Sequence, residues 1–169
     1  MPQQFTSAKT SINSTKLPAI YNRLNWSKLR VASPPHPVVL DIGAGKYTNH
    51  IQNFLQSKGF VYAPYDPFNL PKSINDHSLS LIPSVVICSN VFNVIKEKDV
   101  HYQIHQLIRD KHCPFFITVY EGDKSFIGHP TKNNSCYQRN ETIDAYLMRH
   151  DEVVYKKTIT LATYQKYLE

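Results

Sequence analysis

One segment decides the fold of this chain: Val38–Thr48, with the sequence VVLDIGAGKYT. Its apolar start is typical of a buried strand, its paired glycines of a tight turn, and its polar end of the beginning of a helix. A strand, a glycine turn and a helix form the first unit of a nucleotide-binding α/β fold. Glycine suits the turn because it accepts positive φ angles and lets a ligand approach the backbone.

Two well-known nucleotide turns fit this segment poorly. A P-loop ends in Gly-Lys followed by Ser or Thr; Gly45-Lys46 supplies part of that ending, but Tyr47 and Leu40 replace its hydroxyl residue and its first glycine. A dinucleotide fingerprint needs a third glycine where this chain has Thr48. An ordinary strand–turn–helix corner without a ligand remains an alternative.

The acid before the turn suggests another cofactor. Asp41, Gly43 and Gly45 form an acid-x-Gly-x-Gly pattern at the end of the first predicted strand. This pattern resembles motif I of the class I S-adenosylmethionine (SAM)-dependent methyltransferases. The resemblance implies that the turn, including Ala44, lies against the methionine part of SAM and that Asp41 organises the loop.

A second acid follows at the end of the next predicted strand, residues 60–65. Asp66 lies 66 − 45 = 21 residues after Gly45, and in a Rossmann-like unit the acid at this point binds the ribose hydroxyls. The corner formed by Asp66 and Pro67 resembles that of the methyltransferase family, which implies that both residues contact the cofactor. A plain turn acid is the alternative.

The middle of the chain is short for this family. Only 85 − 66 = 19 residues separate Asp66 from the next apolar strand, which begins at Val85. We expect the third strand of the sheet to be missing or reduced to a stub at residues 79–82. Asn75 and Asp76 are the candidates for the contact with adenine.

Polar residues follow the strand at Val85–Cys88. By resemblance to the motif after the family's fourth strand, Asn90 would lie nearest the point of methyl transfer. No proline follows Asn90, so the box typical of amine-methylating DNA enzymes is absent. Asn90 and Asn93 also suit turn capping, which remains the alternative.

A long polar loop follows the fifth predicted strand, Pro114–Tyr120. Loops of this length in a compact domain are often functional, so we expect residues 121–140 to cover the substrate. Glu121 and His129 are candidates for orienting the substrate or removing a proton. Polar or phosphate-bearing substrates would be bound by three further residues, Ser135, Gln138 and Arg139.

The N-terminal 37 residues carry most of the excess charge. They contain no acid, and their basic residues suit either docking on phosphates or a solvated helix face: Lys9, Lys16, Arg23, Lys28 and Arg30. Residues 1–13 are predicted to lack regular structure. A helix capped by Ser14 and running to about Leu29 resembles the helix that covers the cofactor in the family.

Three further elements are predicted from periodicity. Residues 97–111 form a helix on which His101 and His105 share a face, and we interpret both as surface histidines rather than metal ligands. Asn140 is predicted to cap a short helix. Residues 153–161 read as a single edge strand.

Composition sets the broad class. The chain has 169 residues, 41% of them hydrophobic, and a net charge of +6, which indicates one folded domain. No apolar run reaches the length needed to span a bilayer, no secretory signal is visible, and the three cysteines form no metal-type pair. We therefore expect a cytoplasmic chain with no metal site and no membrane association.

The predicted fold class is α/β, an open and mostly parallel Rossmann-like sheet flanked by helices, of methyltransferase type, occupying residues 38–169. The predicted function is methyl transfer from SAM to a small molecule or nucleic acid. Two alternatives remain: a module that binds SAM or a nucleotide without methyl transfer, and a nucleic-acid-binding protein that uses its basic N-terminal segment.

Overall fold

The structure, a computed structural model, describes residues 3–6, 8, 15–131 and 134–147, and the backbone of two strands beyond them. The α-helices are α1 (Trp26–Val31), α2 (Asn49–Ser57), α3 (Lys72–Ser80) and α4 (Lys98–Arg109). The strands are β1 (Val38–Ile42), β2 (Val61–Tyr65), β3 (Val85–Ser89), β4 (Phe115–Val119), β5 (His129–Thr131), β6 (Cys136–Gln138), β7 (Glu152–Lys156) and β8 (Ile159–Thr163).

The main sheet has six strands in the order β2-β1-β3-β4-β8-β7. The first four are parallel, and β8 pairs antiparallel with both β4 and β7. The order β2-β1-β3-β4 is that of a doubly wound Rossmann sheet without its third strand. The predicted α/β sheet is thus confirmed, and α3 alone links β2 to β3 in the described chain, with residues 79 and 80 inside this helix.

Two apolar layers cover the two faces of the sheet. Alternate residues of β1 point to opposite faces, so Val39 packs with α1 and α2, while Leu40 packs with α4 and the 3-10 turn Ile143–Tyr146. Strands buried on both faces read as continuous apolar runs, which is why β1, β3 and β4 are recognisable in the sequence. Among the described residues, no helix has the length and apolar character needed to cross a membrane.

The N-terminal helix differs from the prediction. The chain forms a 3-10 turn, Ala19–Asn22, and then α1, whose N-cap Asn25 accepts a hydrogen bond from the amide of Lys28. The break between them is fixed by Trp26, whose indole Nε1 donates to the carbonyl of Tyr21 at 2.7 Å. The continuous helix was therefore a wrong prediction, and its predicted cap, Ser14, lies outside the described residues.

The first residues are also more ordered than predicted. Phe5 is buried and stacks on Tyr137 with ring centroids 5.3 Å apart. The amide of Gln4 donates to Oε1 of Glu97 at 2.8 Å, and Lys96 donates to the Gln4 side chain. An aromatic side chain in a polar stretch thus anchors residues 3–6 against β6 and the segment that precedes α4.

The C-terminal strand prediction was wrong in number. Two strands, β7 and β8, replace the single strand expected at residues 153–161, and the inner one pairs with β4. Asn140 does not cap the following turn, whose N-cap is Thr142. The side chain of Asn140 instead donates to the carbonyl of Ile127 at 3.0 Å and contacts the small β5–β6 hairpin.

The histidines of α4 are buried, not exposed as predicted. His101 and His105 pack on Phe92, His105 with ring centroids 4.6 Å from it, and Nε2 of His101 lies 2.9 Å from the carbonyl of Ile95. Both histidines lie on the same helical face as the buried Ile108, and this face packs against the core. Burial lowers the pKa of His101 to about 4, with a further contribution from the charge of Arg139, so this ring is neutral at pH 7.

Candidate functional site

The glycine turn lies at the carboxyl end of β1, in the middle of the parallel strands. Gly43 and Gly45 adopt φ angles of 78° and 76°, which side chains rarely tolerate. The amides of Gly43 and Ala44 both donate to the carbonyl of Tyr65 at the end of β2, at 2.8 and 3.2 Å. A Cβ at Gly43 would stand 2.3 Å from Val91, so this glycine is required by the chain itself.

Asp66 is the residue that organises the turn. Its carboxylate is only 2% exposed, and its Oδ2 accepts from the amide of Gly45 at 3.0 Å and from Nδ2 of Asn69 at 2.9 Å. Its Oδ1 accepts from the amides of Phe68 and Asn69 at 3.0 and 3.1 Å. The family resemblance assigned the organising role to Asp41; the hydrogen bonds give it to Asp66, while Pro67 is exposed in the same corner.

The two candidates for the adenine contact, Asn75 and Asp76, lie on different faces of α3. The Asn75 side chain accepts from the amide of Asp66 at 2.8 Å and donates to the carbonyls of Asp66 and Leu70. Asp76 faces solvent, where it pairs with Lys72. The structure therefore does not bring Asp76 to the site, because only one of two adjacent helical residues can face the sheet.

Asp41 is buried beneath the turn. It is 3% exposed, and its Oδ2 accepts from the hydroxyl of Tyr62 at 2.8 Å. The fully buried hydroxyl of Tyr21 faces the same carboxylate without forming a hydrogen bond of ordinary geometry. Desolvation raises the pKa of Asp41 to about 6; the two tyrosines oppose this shift and the charge of Asp66 adds to it.

Polar groups after β3 lie beside the end of β4. Asn90 is exposed with a φ of 55°, and its amide donates to the carbonyl of Thr118 at 2.8 Å. Asn93 is 2% exposed; its Nδ2 lies 3.3 Å from Oε1 of Gln138, and its Oδ1 has no hydrogen-bond partner among the described residues. A buried amide oxygen in this state is an acceptor that a bound molecule can satisfy.

A cleft of about 500 Å³ opens between the end of β4 and the β5–β6 hairpin, and we call it the hairpin cleft. Its volume is in the usual range for small-molecule sites. The lining comes from the 3-10 turn after β3, the loop after β4 and the hairpin: Val94, Tyr120, Gly122, Asp123, His129, Thr131, Cys136, Tyr137, Gln138 and Asn140. Two predicted residues, His129 and Gln138, thus share one cleft.

The hydrogen bonds of Asn140 indicate which tautomer a neutral His129 ring adopts. Nδ2 of Asn140 donates to the carbonyl of Ile127 and also lies 3.2 Å from Nδ1 of His129. An amide nitrogen can only donate. Nδ1 of neutral His129 is therefore an acceptor, and the ring proton sits on Nε2. His129 is in this arrangement a hydrogen-bond donor to the cleft, whereas we had considered it for proton removal.

Glu121 lies beneath the loop and not in the cleft lining. It is 8% exposed and its Oε2 lies 3.7 Å from Nζ of Lys124. Its neighbour Asp123 is the carboxylate that lines the cleft. The pKa of Asp123 is lowered, chiefly by hydrogen bonds from Ser125.

Arg139, predicted to bind substrate, is engaged by neighbouring groups of the fold and does not line the cleft. It is 7% exposed and its guanidinium forms two hydrogen bonds with the Glu141 carboxylate, at 2.8 and 3.1 Å. Its remaining nitrogen donates to the carbonyls of Lys96 and Ile95. Arg139 therefore ties β6 to the loop after β3, and half-buried Ser135 lies beside Cys136 rather than in the lining.

Several residues of the site had no clear signal in the sequence. Asn69 stands three residues after Asp66, a spacing typical of turns, which is the one local hint of its bond to that acid. Glu121 was predicted as a site residue because it directly follows the predicted strand. Tyr120 and Asp123 lie close to it in the sequence but had no such signal. The role of Asn140 depends on a partner, Ile127, across the hairpin.

The part of the chain that the structure describes contains no group of acids, cysteines and histidines able to hold a metal ion. Comparison with known proteins produced no relatives: no protein-family model matches the chain, and no curated protein matches it.

Proposed function

We propose that this protein is a SAM-dependent methyltransferase. The observation that carries the proposal is a hydrogen bond between the two binding loops. The amide of Gly45, in the glycine turn after β1, donates to the carboxylate of Asp66, the acid after β2, at 3.0 Å. Open α/β sheets bind ligands outside the carboxyl ends of their strands, where the order reverses. In this sheet the turn lies at that point, between β1 and β3.

The residues present fit part of the cofactor. Gly43 and Gly45 both adopt positive φ angles, and because the side chain of Val91 already fills the space beside Gly43, the methionine part would lie against Gly45. Asp41, Ala44 and Asn90 are the further residues proposed to lie around it. Asp66 has the chemistry to accept ribose hydroxyls, and the adjacent Pro67 is exposed. To accept a ribose, Oδ2 of Asp66 has to release the side chain of Asn69, which occupies it at 2.9 Å.

The adenine end has fewer supporting residues. Asp76 faces solvent and Asn75 is used within the corner, so neither presents its side chain to a ring. The missing third strand leaves β2 at the edge of the sheet. We infer that binding in this region depends on contacts with the turn at residues 67–70.

Methyl transfer from SAM depends more on alignment of the acceptor atom with the methyl group than on acid–base catalysis. When bound, SAM supplies a methyl group already activated by a positive sulfur. The chain has to hold an acceptor atom in line and exclude water. The hairpin cleft would serve this purpose, and Asn93 would position its lining residue Gln138 through the contact of 3.3 Å between Nδ2 of Asn93 and Oε1 of Gln138. His129 offers a donor rather than a base, which favours acceptors with a lone pair available at neutral pH.

Transfer of labelled methyl from SAM to small-molecule and nucleic-acid fractions of a cell extract tests the activity. We expect labelling with the wild-type protein and its loss with Asn93→Ala, while Asn53→Ala, an exposed change on α2, retains it. Labelling that never exceeds the background without protein contradicts methyl transfer.

A second candidate is a SAM- or nucleotide-binding module without transfer. The specific observation in its favour is that Asp66 is fully engaged by its own loop and the adenine side is reduced. SAM binding without labelling would favour this candidate. Binding of oligonucleotides without any binding of SAM would favour the third possibility, a nucleic-acid-binding protein.

A further inference from the structure

We propose that the hairpin cleft binds a nucleobase, stacked on Tyr120, with Asp123 and His129 hydrogen-bonded to its edge. The proposal names the acceptor class of the proposed methyltransferase and to that extent rests on the proposed function. Binding of a base in this cleft requires no SAM and can be tested separately.

One aromatic residue of the lining, Tyr137, already stacks against a ring of the chain. Phe5 lies on Tyr137 with a centroid distance of 5.3 Å and an interplanar angle of 22°, an offset-stacked arrangement. Tyr120, the other aromatic residue of the lining, is 61% exposed. Tyr137 is therefore supported by Phe5, which is not part of the lining, and the exposed Tyr120 is the aromatic residue available to a ring from outside.

The loop that contains Tyr120 exposes further apolar and basic side chains. Phe126 and Ile127 lie in the same loop as Tyr120 and are 59% and 71% exposed. The side chain of Lys124, which lies between Tyr120 and Phe126 in the sequence, is 61% exposed. Aromatic side chains interspersed with cations are the means by which proteins bind single-stranded nucleic acid, since every base has a face to stack and every phosphate a charge.

The polar groups of the cleft define which edge of a base would fit. Oδ1 of Asp123 accepts from the amide of Ser125, and Asp123 and His129 both line the cleft. An acceptor carboxylate beside the Nε2–H donor of His129 matches an amino group beside a ring nitrogen. Adenine and cytosine present that pair, whereas thymine presents a carbonyl beside an N–H.

Charge favours a polyanion over an apolar peptide as the source of the ring. The chain carries a net charge of +6, and its first 37 residues contain basic side chains and no acid. Residues 3–6 of this segment are fixed at the cleft by Phe5 and by the bond from Gln4 to Glu97.

Fluorescence anisotropy with labelled single strands of about eight nucleotides, near the site size of one small domain, tests the proposal without SAM. We expect oligo(dA) and oligo(dC) to bind more tightly than oligo(dT). Tyr120→Ala should weaken binding about tenfold, since one stacked base is worth ~1–3 kcal/mol, and Tyr120→Phe should retain it. Tyr102→Ala is the matched control, because Tyr102 is also 61% exposed but lies on α4.

Each outcome decides the matter. Titration with adenosine and cytidine distinguishes a free nucleoside from a strand as the source, and binding of either with dependence on Tyr120 supports the proposal. Equal affinity of wild type and Tyr120→Ala for every probe, or no binding of strand and nucleoside alike, overturns it. Since SAM is absent, failure here leaves the SAM site untouched, and a protein that binds bases but not SAM would contradict the proposed function alone.

Discussion

The backbone amide of Gly45 donates a hydrogen bond of 3.0 Å to Oδ2 of Asp66, a residue 21 positions further along the chain. This bond joins the turn after β1 to the corner after β2. Because the same oxygen also holds Asn69 at 2.9 Å, one buried carboxylate controls the shape of both loops. A change at either loop is therefore expected to affect the other.

Substitution of Gly43 by alanine should destabilise the fold by roughly 2–4 kcal/mol. The new Cβ would lie 2.3 Å from Val91 in a backbone with a φ of 78°, and both overpacking and left-handed strain contribute. Urea denaturation measures the loss. Gly59→Ala is the control, since its φ is 83° but its neighbour is the flexible side chain of Arg30 at 3.0 Å, so only about 1 kcal/mol is expected.

Val91→Ala should restore part of the stability of Gly43→Ala, because it removes the atom in collision. Equal destabilisation by the two glycine substitutions, with no recovery in the double variant, would show that Val91 does not restrict the turn.

Substitution of Asp41 by asparagine should change how stability depends on pH. The folded-state pKa of Asp41 is raised from 3.8 to about 6, so the carboxyl contributes stability that is fully present below pH 3.8 and lost as pH rises to about 6. At pH 7 the buried charge costs up to about 3 kcal/mol. Asp41→Asn should be more stable than wild type at pH 7 and equal to it near pH 3.5.

His101 makes the stability of the fold depend on pH in the opposite direction, between about pH 4 and pH 6.5. Its folded-state pKa is lowered from 6.5 to about 4, so its contribution is present above pH 6.5 and lost as pH falls to about 4. The difference between Asp41→Asn and wild type isolates the carboxyl, since His101 is common to both. A difference that stays constant from pH 3.5 to 7 would contradict the assigned pKa.

Replacement of Arg139 by alanine should reduce stability by roughly 2–3 kcal/mol, because Glu141 and two carbonyls lose their donor. Binding of oligonucleotide by the folded protein should not change. Thermal melts and the anisotropy assay measure the two effects, with Arg139→Lys as a milder variant that keeps the charge but not the fork. Lost binding with unchanged stability would restore Arg139 to the substrate site.

The parallel core could be predicted from sequence because its strands are continuous apolar runs and its turns contain glycine. The pairing partners could not. Whether Asp66 faces a ligand or a backbone amide depends on Gly45, a contact across 21 residues. The burial of His101 and His105 follows from their helical face beside Ile108, yet residue type alone favoured the surface.

The C-terminal region shows a different difficulty. Alternation over residues 153–161 indicated extended structure, which the backbone confirms, but the break in the alternation at Lys157 was not interpreted as a boundary between two strands, Glu152–Lys156 and Ile159–Thr163. Arg139 was assigned by its chemistry, and its partner Glu141, two residues further on, was the neglected signal.

Substitution of Asn69 by alanine should tighten SAM binding about fivefold. The change removes one donor from Oδ2 of Asp66, worth about 1 kcal/mol, so a ribose hydroxyl no longer has to displace it. Calorimetric titration measures the affinity, with Asn53→Ala as the control. Weaker binding by Asn69→Ala would show that Asn69 holds the site together rather than competing for it.

The central claim, a SAM site at the corner of Gly45 and Asp66, is tested most directly by calorimetric titration of SAM into three proteins: wild type, Asp66→Asn and Asp76→Asn. We expect micromolar binding by wild type, about tenfold weaker binding by Asp66→Asn because a charge-assisted hydrogen bond is lost, and unchanged affinity for Asp76→Asn. Absence of binding by folded wild type at high micromolar SAM, or equal affinity of the two variants, would contradict the account.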